Sequence, residues 1–419
     1  MASSALTSLR SRHDRGEKYG ITSVCSAHPD VIRAALELGC QSGREVLIEA
    51  TCNQVNQDGG YTGMTPADFR GFVEKIADSV GFNKDMLILG GDHLGPNPWK
   101  HLPAASAMQK ALVMIADYAS AGFTKLHLDC SMGCQGEAVA LDDELVALRA
   151  AQLAKVAENN CETPPVYIIG TEVPVPGGAS HVVDSLDVTD ASAALKTYEI
   201  HRKAFQDQGV GAAFDRVIGL VVQPGVEFGS ANVVAYRPEL SQELSKSLTQ
   251  MPNVVFEAHS TDYQTVDALS ALVTDGFSIL KVGPGLTFAL REALYGLDLI
   301  AAELDGGTPK LKDAMEMLMV EEEGYWANYY SGDKLEQKLQ RHFSYSDRIR
   351  YYWAHPKAQN AVTELMLRLE NQIISETLIS QYLAPLVPAV RSGEVEPNAA
   401  SIKLGYVKLA LNEYARACV

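Results

Sequence analysis

The stretch MLILGGDHLGPN, residues 86–97, sets four apolar residues before two glycines, an acid, an imidazole and a Gly-Pro break. A short apolar run bounded by turn residues reads as a buried strand. Gly90-Gly91 and Leu94-Gly95-Pro96-Asn97 let the chain leave that strand at Asp92 and His93. Seven other runs have the same build: Ile21–Cys25, Val46–Ala50, Lys125–Asp129, Val166–Gly170, Val217–Val222, Val254–Ala258 and Phe277–Val282. Helix-like segments separate most of them, such as Pro66–Val80, Ala105–Ala121, Glu137–Asn159, Ala191–Gln208, Pro238–Leu248 and Thr265–Asp275. Thr65-Pro66 puts proline at a first helical position, and Ser260-Thr261-Asp262 is placed to cap the helix after the seventh run. Eight strand–helix alternations predict an α/β fold, a parallel (β/α)8 TIM barrel. A doubly wound open sheet would carry a GxGxxG turn after an early strand, and the sequence has none.

After Gly285 the periodicity becomes helical and stays so to the end of the chain. The reading is a barrel over residues 1–300 and a C-terminal α-helical extension over 301–419, packed on the barrel. Glu321-Glu322-Glu323 reads as a solvated helix face, and 391–398 as a loop.

Composition narrows the function. The chain has 419 residues, 47% of them hydrophobic, which is too apolar for a disordered chain. Its 35 basic and 52 acidic residues leave a net charge of −17, a poor match to nucleic acid. No apolar run is long enough to span a membrane, and the polar first twenty residues lack the core of a secretory signal. The seven cysteines are odd in number and form no paired CxxC framework, as expected of reduced thiols in a cytoplasmic protein.

Barrel chemistry sits where strands end, and here those ends are polar. They supply Glu49, Asp92 and His93, His127 with Asp129 and Ser131, Glu172, Gln223, Glu257 and His259, and Lys281. Residues two apart on a strand share a face, so His127 with Asp129, and Glu257 with His259, point together. Imidazole and carboxylate suit a divalent ion such as zinc. His93 and His259 are the ligand candidates, with the third ligand left among Glu172, Gln223, Glu227 and Asp129. The alternative is that these histidines only hydrogen-bond or move protons. Asp92 is the candidate proton carrier; the alternative is a structural cap. Gly177-Gly178, Ser260-Thr261 and Gly283-Pro284-Gly285 with Lys281 are candidate anion sites. Arg348 and Arg350, in the aromatic segment 346–355, could clamp a phosphate across the barrel mouth, or the segment could simply pack. There is no GxxxxGK[ST] loop, no kinase signature and no GxSxG.

The segments SVCSAHP (23–29), VLIEATCNQVNQDGGYTGMTPADFR (46–70), LGGDHLGPN (89–97), IGTEVPVPGG (169–178), VVQPGVEF (221–228), EAHSTDYQT (257–265), LKVGPGLTFALREA (280–293) and SDRIRYYW (346–353) resemble the GatZ/KbaZ family over nearly the whole chain. That family is known as the accessory subunit of tagatose-1,6-bisphosphate aldolase, and it resembles in turn the metal-dependent class II fructose-bisphosphate aldolases. The resemblance implies that Asp92-His93 is a catalytic carboxylate followed by a zinc ligand. It aligns Asp129-Cys130-Ser131, Glu172 with Gly177-Gly178, and His259-Ser260 with aldolase motifs. At the sixth strand the aldolases have a zinc-binding His-Gly, whereas this chain has Gln223-Pro224-Gly225. The implied activity is a class II aldolase-like, metal-dependent 4-epimerisation of tagatose 6-phosphate to fructose 6-phosphate. The alternatives are a non-catalytic subunit of a separate class II aldolase chain and the family's older label, tagatose-6-phosphate kinase. The expected partners are a phosphorylated ketohexose and further copies of the chain in a homo-oligomer.

Overall fold

A computed structural model describes residues 4–170 and 186–419. Eight parallel strands close into a barrel: β1 (Ile21–Cys25), β2 (Val46–Thr51), β3 (Leu87–Leu94), β4 (Lys125–Leu128), β5 (Val166–Ile169), β6 (Val217–Val221), β9 (Val255–Ala258) and β10 (Ile279–Val282). A two-stranded ribbon, β7 (Glu227–Phe228) and β8 (Val233–Val234), lies between the sixth and seventh barrel strands. The barrel closes where β10 pairs with β1, from Ile21 beside Ile279 to Val24 beside Val282. The helices α2 (Pro29–Ser42), α3 (Pro66–Val80), α4 (Ala104–Ser120), α5 (Asp143–Asn160), α6 (Ala191–Asp207), α8 (Pro238–Ser247), α9 (Val266–Thr274) and α10 (Pro284–Asp305) follow strands, with short α7 (Gly211–Phe214) after α6 and α5 starting later than the predicted Glu137.

Local signals explain the boundaries. Thr65 and Asp68 form a reciprocal capping box ahead of α3, with Pro66 in its first turn and Gly81 in the left-handed region beyond its end. The cap of α9 differs from expectation: Thr265, not the Ser260–Asp262 segment, accepts the Ala268 N–H at 3.2 Å. Asp262 instead takes the N–H groups of Gly283 and Gly285 at 3.0 and 2.7 Å, fixing the start of α10.

The helix ahead of the first strand went unread in the sequence. The first helix, α1 (Ser4–Asp14), is largely polar, yet its Ala5, Leu6 and Leu9 are buried against Ile21, Leu47, Ile88, Ile168 and Ile279. It closes the N-terminal end of the barrel. Arg10 locks it there by donating to the carbonyls of Leu248, Met251 and Val254 at 2.8–2.9 Å.

Beyond the barrel, α10 carries the chain past residue 300 without a break. It is followed by α11 (Leu311–Glu321), α12 (Lys334–Phe343), α13 (Pro356–Arg368), α14 (Glu376–Tyr382), α15 (Val387–Arg391) and α16 (Ala399–Ala417). The last helix returns to pack on α2, α9 and α10. Between α12 and α13 a tight turn, Arg348–Tyr352, projects to the barrel mouth. Asp347 enters that turn with φ +44° and accepts the Thr287 hydroxyl of α10 at 2.6 Å. No helix among the described residues is long and apolar enough to cross a membrane.

The barrel interior is layered. Its lower part is aliphatic, whereas above it the Lys125 ammonium lies fully buried between Glu49 (2.5 Å) and Glu257 (2.8 Å). Removing one partner of a buried pair strands the other charge in a low dielectric. Lys125→Met is expected to lower stability by about 3–5 kcal/mol in urea unfolding, and a loss below about 1 kcal/mol would mean that those carboxylates are neutral.

Asp347 makes a second, pH-dependent prediction. Burial pushes its carboxyl up to about 7, with Arg291 opposing. Between about pH 4 and pH 7 the folded chain therefore keeps a proton that an ordinary unfolded carboxyl has lost, so this group's contribution to stability falls as pH rises. Asp347→Asn does not titrate. Its stability relative to wild type should improve from about pH 5 to about pH 8, and a difference that stays flat would show Asp347 ionised throughout.

Candidate active site

The cluster grows from β3. Between Gly91 and Leu94 the pairing of β3 with β4 shifts register, and His93 takes φ +49°. That irregularity brings consecutive residues, Asp92 and His93, to one cavity instead of opposite faces. His259 follows β9, and Ser260 beside it also has positive φ, +51°. Backbone held in this region by non-glycine residues concentrates at functional sites.

Three imidazoles and one carboxylate converge. Asp92, His93, His127 and His259 each offer a ligand atom, and these atoms all lie within 4.8 Å of one another. The ring centroids are 5.0 Å apart for His93–His127 and His93–His259, and 5.3 Å for His127–His259. Each ring has one nitrogen held by an acceptor. His93 Nδ1 lies 2.6 Å from Asp129, His127 Nε2 lies 3.1 Å from the Gly170 carbonyl, and His259 Nε2 lies 2.9 Å from Glu257. A proton on each of those nitrogens leaves lone pairs on His93 Nε2 and His259 Nδ1, while His127 Nδ1 already lies 3.0 Å from Asp92 Oδ1 and 3.3 Å from the His93 N–H. Outer acceptors orient zinc-ligating histidines in this way.

Charge points the same way. Glu49, Asp92, Asp129 and Glu257 are four formal carboxylates facing two ammoniums. Lys281 contacts Asp92, Glu49 at 2.9 Å and Glu257 at 3.4 Å, and Lys125 sits below. Two negative charges remain for a divalent cation. Burial alone would raise Asp92, but His93, Lys281 and His127 outweigh it and hold the carboxyl well below its usual range. Glu257 is likewise held low against burial, by Lys125 and Lys281. Burial and then Lys281 push His259 down to about 3, so it is neutral. His93 is raised, burial notwithstanding, by Asp92 and Asp129. The residues present fit a divalent ion.

The structure redistributes the sequence-predicted residues. Asp92, His93, Asp129 and His259 come together, and Ser260, Lys281, Gly283 and Arg350 line the same cavity. His127, not one of the four candidates for a third ligand, joins the cluster. Gln223 spends its side-chain oxygen on the N–H groups of Gly225 and Val226 at 2.8 and 3.0 Å. Glu227 accepts the Phe228 N–H at 2.9 Å, and neither residue joins the cluster. Lys281 is committed to carboxylates instead of a phosphate, and Glu49 lies beneath the site, bound to both lysines. Arg348 turns away: it stacks on Tyr329 and donates to the Tyr325 carbonyl. Glu172, Gly177 and Gly178 lie outside the described residues. The sequence held a signal for His127, since it is one strand over from His93 and on the inward face with Asp129.

Together these features define a (β/α)8 barrel whose strand ends gather a metal-ligand type of donor set around an ionised acid. The chain belongs to the family described as D-tagatose-1,6-bisphosphate aldolase subunit GatZ/KbaZ-like, whose pattern it matches over residues 6–419. It is 55% identical over 395 residues, 93% of each chain, to a protein named D-tagatose 6-phosphate 4-epimerase from Agrobacterium fabrum. It is also similar to a solved structure described as a probable tagatose 6 phosphate kinase from Sinorhizobium meliloti 1021. That match has 59% identity and a TM-score of 0.90, and covers 95% of this chain and all of that one.

The ligand set is testable by competition with a chromophoric chelator. Glu257→Gln, which weakens the orientation of His259, is expected to lower divalent-ion affinity about 10- to 100-fold. His127→Ala, which removes one of the three imidazoles, should lower it further. Wild-type affinity in His127→Ala would remove that imidazole from the set.

Proposed function

We propose that this chain interconverts tagatose 6-phosphate and fructose 6-phosphate by breaking and re-forming the C3–C4 bond. The observation that carries the reading is the meeting of an ionised Asp92 with three tautomer-fixed imidazoles, in a chain so similar to the Agrobacterium 4-epimerase. His93, His127 and His259 would hold a divalent ion, zinc by the preference of such donors, which would supply the positive charge that eases cleavage beside the ketone.

The chain's own residues do the rest. Asp92 accepts the proton of the C4 hydroxyl as the bond breaks and returns it when the bond re-forms on the other face of the aldehyde. Lys281 keeps Asp92 anionic before the proton arrives and after it has been returned. Asp129, Glu257 and the Gly170 carbonyl hold the imidazoles in register. Arg350 brings permanent positive charge to the mouth, where the 6-phosphate would lie. The seven cysteines are free thiols, compatible with the cytoplasmic setting proposed for this sugar-phosphate enzyme.

A second reading, a non-catalytic partner of a separate aldolase chain, is favoured by the family description alone. The kinase reading has no nucleotide loop in the sequence to support it. The distinguishing assay is NMR of the isolated, zinc-loaded chain with tagatose 6-phosphate. Fructose 6-phosphate should appear, and Asp92→Asn should cut the rate by roughly 10²–10⁴-fold with metal still bound. No conversion by wild type, with aldolase activity gained only on adding a catalytic subunit, would favour the partner reading.

A further inference from the structure

The inner cavity, with Asp92, His93 and His259 in its wall, measures about 110 Å³. Small-molecule sites generally enclose about 300–1,000 Å³. A larger cavity of about 400 Å³ adjoins it, between the start of α2, the Tyr61–Met64 segment, α10 and α13. Cys25, Gln54, Tyr61, Gly283 and Arg350 line both.

Inverting C4 sets a spatial demand. When the C3–C4 bond breaks, its electron pair stays on C3 as an enediolate, O4 gives its proton to Asp92, and C4 becomes an aldehyde carbon. That fragment, a three-carbon aldehyde phosphate, must present its opposite face before C3 attacks again and O4 recovers the proton. No oxidant or co-reactant is needed, but room to turn is. From this we infer that the outer cavity is the chamber in which the aldehyde phosphate turns over, tethered by its phosphate to Arg350 at the shared wall. The inference rests on the proposed 4-epimerase reading.

Two observations support it. Arg350 is the permanently charged cation on the shared wall. Only three of its five N–H donors are used, on the carbonyls of Ser346 and Asp347 and the Tyr351 hydroxyl. The outer walls are largely uncharged and apolar, with Met64, Phe72, Leu294 and Val362 among them, so little would arrest the fragment while it turns. The buried Trp353 forms part of the same wall.

Val362→Phe on α13 and Ala354→Leu on the preceding segment fill the chamber from two elements, and thermal melts report whether each variant folds. Two rates are compared: interconversion of the hexose phosphates, and condensation of dihydroxyacetone with glyceraldehyde 3-phosphate, with the C4 epimers of the product resolved by NMR. Wild type should form both epimers. Folded variants should still condense the trioses but yield mainly one epimer, with interconversion down roughly a hundredfold, the scale of a misplaced reacting group. Variants that keep the wild-type epimer ratio, or lose both reactions equally, would overturn the chamber. So would a wild type that interconverts the hexoses without condensing the trioses. A wild type that does neither would instead remove the 4-epimerase reading itself.

Discussion

Two buried lysines set the terms for the rest of this site. Lys125 and Lys281 stand buried inside a barrel whose lower half is aliphatic, each between carboxylates. Burying an ammonium is costly unless it is paired, so these two fix the positions of the acids around them and help hold Asp92 and Glu257 ionised. The packing is tight. A Cβ on Gly90 would come within 2.5 Å of the Glu49 side chain, so β3 needs glycine where that carboxylate lies across it. Glu257 then reaches His259, and Asp92 reaches the imidazoles, from a base that cannot move.

Much of this was legible in the sequence. Eight apolar runs with polar ends gave the barrel, because a buried parallel strand must be short and apolar and must end in turn residues. Asp92 and His93 were readable as a pair because two glycines precede them and a Gly-Pro break follows. His127 was visible as an inward residue but not as a ligand, because its grouping with His93 comes from the pairing of β3 with β4. Gln223 was misleading for the opposite reason. It occupies the sequence position of a ligand, while its side chain closes a local turn. The ribbon β7–β8 is two residues a side, too short for any periodicity to register.

The extension was read as helical, but its role at the mouth was not readable. Arg348 and Arg350 are two apart in one aromatic segment and look equivalent. The left-handed turn at Asp347, held by Thr287, sends one to the cavity and leaves the other on Tyr329. Such a choice depends on contacts with a helix sixty residues earlier in the chain. It ties the shape of the mouth to the packing of α11, α12 and α13, outside the barrel.

The helix that seals the barrel floor has a consequence for biogenesis. Its three arginine contacts are to residues 238 to 244 positions further along the chain. On the ribosome, α1 therefore emerges well before the carbonyls that Arg10 holds, at least 238 residues later in the chain. Until then the aliphatic floor that Leu6 and Leu9 complete is only partly built. The barrel can be sealed only late in synthesis, by a helix made before its strands.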